Sequence, residues 1–140
     1  MNAFYAALLF YLFVVLAICA SALIWGGRDE RAVATGYIVA AAATWIAASI
    51  QKVHYREPQY AVMAVDIVFL FYLLLIVRRS RRFWPLWVAA AHLVGIFTHI
   101  VRILQPSTLA EAYASAQPFW AFPMLFALAV GTFHNRTATS

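Results

Sequence analysis

Asp66, His92, His99 and Arg102 are the residues of this chain with chemistry to offer, and all four lie inside long apolar runs. His92, His99 and Arg102, with Gly95 among them, follow one another at steps of three, four and three. Those steps keep them on one face of a helix. The run that carries them, 84–104, is long and apolar enough to cross a bilayer. An ionisable side chain there is costly unless paired or protonated. A span that gathers such residues on one stripe turns that stripe away from lipid.

Two roles relieve the cost. Asp66 can hydrogen-bond to a histidine, with Arg102 nearby, and fix the packing of two helices. Alternatively Asp66, His92, His99 and Arg102 form a polar site for a proton, an ion, a metal or a small polar ligand. A third reading is electron transfer with b-type haem or a quinone. Seven residues separate His92 from His99, ~10.5 Å along a helix. That is too far for both to ligate one iron, so a haem would pair His99 with His54. His54, Asp66 and His99 are acceptable ligand types for zinc. Without a pair at i, i+3 or i, i+4, however, they predict no metal site.

Covalent catalysis has less to draw on. The chain contains neither GxSxG nor HExxH, and its one cysteine, Cys19, reads as a packing residue. The sequence therefore predicts no enzyme.

The elements that position these residues follow from composition. Of 140 residues 66% are hydrophobic and 11% charged, against roughly 25% charged in a soluble domain. So much apolar surface in so short a chain predicts one all-α membrane domain over 1–140, a bundle of five transmembrane helices at 3–25, 32–50, 59–78, 84–104 and 117–133. The first run lacks a basic leader and reads as a retained span. Arg28-Asp29-Glu30-Arg31 reads as a polar turn, and Arg78, Arg79, Arg81 and Arg82 as a basic one that fixes topology and meets anionic lipid headgroups. Thr108-Leu109-Ala110-Glu111 fits a capping box. Pro118 and Pro123 are expected to kink the last helix, and the tail from His134 to fray.

Gly36, Ala40, Thr44 and Ala48 recur every four residues, and Ala91 and Gly95 repeat the pattern. Such ridges admit another helix closely. They predict that the second and fourth helices are central, that Gly95 lets the third helix approach, and that Trp45 is a packing aromatic.

Five crossings put Arg28, Arg31, Arg78, Arg79, Arg81, Arg82 and Arg136 on one side, against Lys52, Arg56 and Arg102 on the other. The positive-inside rule then places the N-terminus outside and the C-terminus in the cytoplasm. There, Asn135-Arg136-Thr137 would be an inert glycosylation sequon. The net charge of +5 comes from these short clusters, not from an extended basic surface, and nucleic acid is not an expected partner. The expected partners are the lipid bilayer and other membrane subunits or further copies of the chain. The segment 79–87, RSRRFWPLW, with the His-bearing helix after it, resembles small bacterial inner-membrane proteins. That resemblance implies a multi-pass inner-membrane location. The leading expectation for function is an accessory or scaffold subunit. Proton- or ion-coupled transport of a small solute is the alternative.

Overall fold

The computed structural model describes residues 3–51, 60–104 and 118–139. Among them are five α-helices, one short 3-10 turn and no strand. The helices are α1 (Ala3–Trp25), α2 (Arg28–Gln51), α3 (Tyr60–Arg79), α4 (Trp84–Leu104) and α5 (Ala121–Thr139), with the 3-10 turn Pro118–Trp120 leading into α5. Three helices are long and apolar enough to cross a membrane: Arg28–Ile50, Tyr60–Arg79 and Trp84–Leu104. Within α1 the apolar stretch Leu9–Trp25 is shorter.

The chain punctuates these helices with ordinary end chemistry. Gly26 N–H donates to Ala22 O at 2.9 Å, and the Arg31 guanidinium reaches Gly26 O at 3.0 Å, so α1 closes on the start of α2. Residues 28–31 are not the expected turn. They form the first turn of α2, where Asp29 and Glu30 face the positive end of the helix dipole. Arg78 and Arg79 occupy the last turn of α3, the favourable end for cations. Pro85 lies in the first turn of α4, where its missing N–H has no partner to lose. The expected kinks also differ. Pro118 opens the 3-10 turn and Pro123 sits in the first turn of α5, so neither interrupts a helix interior. The tail does not fray at His134, since α5 runs to Thr139. The capping box at 108–111 and His54 lie outside the described residues.

The helices form a ring. Each packs on the next in sequence, α5 returns to α1, and α2 meets α5 across the middle. Among the described residues no helix is encircled by the others, so the expected central placement of the second and fourth helices is not seen there. Cys19, Val33, Leu73, Val88, Leu125 and Leu128 fill the centre. Large apolar side chains such as Phe13, Val68, Phe97 and Phe126 stay exposed on the outside, as suits a lipid solvent. Trp45 belongs to this outer set. At 74% exposed it is left largely uncovered, so it is not the packing aromatic expected.

The small-residue ridge is used over half its length. Gly36 receives the rings of Tyr72 and Phe69 from α3, and Ala40 packs on the core. Thr44 is half-buried and Ala48 exposed. On α4, Ala91 rests on the core. Gly95 does not meet α3. Among the described residues, a Cβ there would touch only Trp120 Cβ, at 3.8 Å. The close approach to α4 comes from α5 instead, where Gly131 lies against the indole of Trp84.

Candidate functional site

The short connection between α3 and α4 makes them an antiparallel hairpin, and depth along one maps directly onto the other. Asp66 on α3 stands opposite the stripe on α4. His99 Nε2 is 3.0 Å from Asp66 Oδ2. His92 Nε2 is 2.9 Å from the main-chain oxygen of Asp66. A carbonyl can only accept, so His92 carries its proton on Nε2. Asp66 thus takes one histidine with its side chain and the other with its backbone. The two histidines straddle it from positions about two turns apart on α4.

The surroundings are tight. His99 is 3% exposed, while Asp66 keeps 19% of its side chain exposed. The edge of His92 meets Phe69, with ring centroids 4.9 Å apart. Phe69 in turn packs against Tyr37 and Tyr72. Arg102 lies one turn beyond His99 on the same face, buried and engaged within the chain. The hairpin therefore brings together Asp66, His92 and His99. In chemical terms it holds a carboxylate–imidazole pair able to share or pass one proton.

Haem ligation would compete with bonds already made, because Asp66 occupies the Nε2 atoms of both His92 and His99. His134 is exposed near the opposite end of the bundle. Among the described residues, no three His, Cys, Asp or Glu side chains gather where one metal ion could bind them.

A second polar cluster lies at the end of the ring formed by the α1–α2 junction, the α3–α4 turn and the C-terminal part of α5. Arg82 Nη1 donates to Glu30 Oε1 at 2.7 Å, and Arg82 Nη2 donates to Asn135 Oδ1 at 3.0 Å. Asn135 Nδ2 donates to Trp25 O at 3.2 Å, and Ser80 Oγ donates to Asp29 Oδ2. The Arg136 guanidinium lies 4.9 Å above the Trp25 ring. One cluster thus joins α1, α2, the α3–α4 turn and α5. In the sequence Arg78, Arg79, Arg81 and Arg82 read as one basic turn, yet of the four Arg82 alone reaches Glu30. The available signal was Glu30 itself, an acidic residue abutting an apolar run, but nothing in the sequence named its partner.

Comparison with known protein families, with curated proteins and with solved structures finds no match to this chain.

Proposed function

We propose that this is a multi-pass protein of a cell's inner membrane, with five spans, its N-terminus outside and its C-terminus in the cytoplasm. Its role is non-enzymatic, as a subunit or self-associating scaffold within a membrane assembly. The orientation rests on the end cluster. That end carries Arg28, Arg31, Arg78, Arg79, Arg81, Arg82 and Arg136, the excess expected of a cytoplasmic face.

The subunit reading rests on one observation above the rest. Beyond Tyr37, α2 presents Ala41, Ala42, Ala48 and a 74% exposed Trp45 to the outside. Tyr72 and the core take up the first half of the ridge, and Ala48 at its far end stays exposed. Small side chains facing outward are a poor match for lipid tails and a good one for another helix. Cysteine cross-linking in native membranes tests this. With Cys19→Ser as background, Ala48→Cys should give a discrete adduct, either a dimer or a complex with one partner. Val68→Cys, on an exposed part of α3, should not. Equal adducts from both positions, or none from either, would refute the reading.

Proton relay is the second reading, favoured by the partial exposure of Asp66 beside a buried His99. In it, Asp66 accepts a proton from the accessible side and His99 carries the charge between α3 and α4. The observable is proton flux in vesicles that depends on Asp66.

A further inference from the structure

A cleft of about 380 Å³ opens between the start of α2 and the end of α3. Its lining is divided by polarity. Arg28, Arg79 and Asp29 stand at the bundle end, next to the polar cluster, whereas Ala32, Tyr72, Leu75 and Ile76, one to two turns further in, form an apolar wall. Tyr72 is fixed there, its hydroxyl donating to Ala32 O at 2.9 Å. Asp29 is held from behind by Ser80 Oγ. Arg28 and Arg79 are both exposed.

From this division we infer that the cleft is a binding site for one anionic glycerophospholipid, its phosphodiester between Arg28 and Arg79 and an acyl chain along Tyr72 and Leu75. Arginine suits this task, since its planar fork pairs two donors with two phosphate oxygens. The charge balance narrows the class. Two arginines and one aspartate leave the lining at +1, which matches a monoanionic phosphodiester. A dianionic phosphate monoester would bring its second charge against Asp29. The apolar wall argues for a lipid over a free anion, because a soluble phosphate would leave Leu75 and Tyr72 uncovered. The site lies where a membrane's polar boundary would fall if α2 and α3 cross it, and it does not depend on the subunit role proposed above.

Native mass spectrometry of the full chain in dodecyl maltoside tests the site. The probes are phosphatidylglycerol, phosphatidylcholine, phosphatidic acid, and glycerol phosphate without acyl chains. One phosphatidylglycerol should be retained in preference to the other three. A surface arginine contributes to anionic-lipid attraction by about five-fold in affinity. Arg28→Gln with Arg79→Gln should therefore weaken retention by about thirty-fold, while Arg81→Gln, outside the cleft, changes it little. Leu75→Trp fills the apolar wall without touching charge and should also lower retention. It decides the matter if the double variant fails to fold. Equal binding of glycerol phosphate would make the occupant a free anion and overturn the lipid assignment. Retention of phosphatidylglycerol unchanged in both the double variant and Leu75→Trp would overturn the site.

Discussion

Arg82 Nη1 lies 2.7 Å from Glu30 Oε1 across 52 residues of chain, tying the α3–α4 turn to the first turn of α2. The two partners are unequal. The Glu30 side chain is 1% exposed and that of Arg82 is 41% exposed. Removing the cation strands a buried carboxylate, whereas removing the carboxylate leaves an arginine that still reaches Asn135 and water.

Arg82→Gln should therefore destabilise the bundle by about 2 kcal/mol, discounted from the fully buried case because Arg82 meets solvent. Glu30→Gln should cost about half as much. Arg81→Gln, its close neighbour in the basic turn, should be neutral. Reversible unfolding in mixed detergent micelles gives all three values. Similar losses from Arg81→Gln and Arg82→Gln would show that bulk charge at this end matters and the pair does not.

The glycines predict a second ranking. A Cβ at Gly131 would sit 2.6 Å from Trp84 Cε2, inside a rigid indole wedged between α4 and α5. At Gly36 it would collide with the Tyr72 ring, which is anchored to Ala32 O. Among the described residues, Gly95 has only Trp120 Cβ nearby, at 3.8 Å. Gly36→Ala and Gly131→Ala should each cost about 1–3 kcal/mol through overpacking. Gly95→Ala should be tolerated or slightly stabilising, because alanine is the better helix former. Melting in detergent separates them, and a loss at Gly95 as large as at Gly131 would contradict the packing described for α4.

How far the sequence could go is clearest at these positions. The stripe at 92, 95, 99 and 102 was legible because helical spacing fixes a face without any tertiary knowledge. The depth of Asp66 against α4 was legible because a short turn sets the register of a hairpin. Rotation about each helix was not. The sequence therefore could not show that Gly95 would meet Trp120, or that Trp45 would be left exposed. The Glu30–Arg82 pair was hidden for another reason, since it exists only once the α2–α3 and α3–α4 packings are combined. The helical tail was hidden with it. A polar segment such as 134–139 reads as frayed until Asn135 and Arg136 are seen to hold Trp25.

The last prediction separates a packing role for Asp66 from a proton-carrying one. His99 bonds its carboxylate, whereas His92 bonds its backbone. A double-mutant cycle with Asp66→Ala and His99→Ala should yield a coupling of about 1 kcal/mol, typical of a good hydrogen bond between transmembrane helices. The cycle with Asp66→Ala and His92→Ala should be nearly additive, because alanine keeps the carbonyl that His92 uses. Asp66→Asn then asks about the proton. The amide oxygen still accepts from His99, so a packing device loses little stability and little else. A relay loses its titrating group and should stop proton flux in vesicles with the fold intact. Flux that is present in the unsubstituted protein, lost in Asp66→Asn and lost again in His99→Gln would move the chain from scaffold to transporter. Flux indifferent to both substitutions would leave the pair as the bolt that closes α3 on α4.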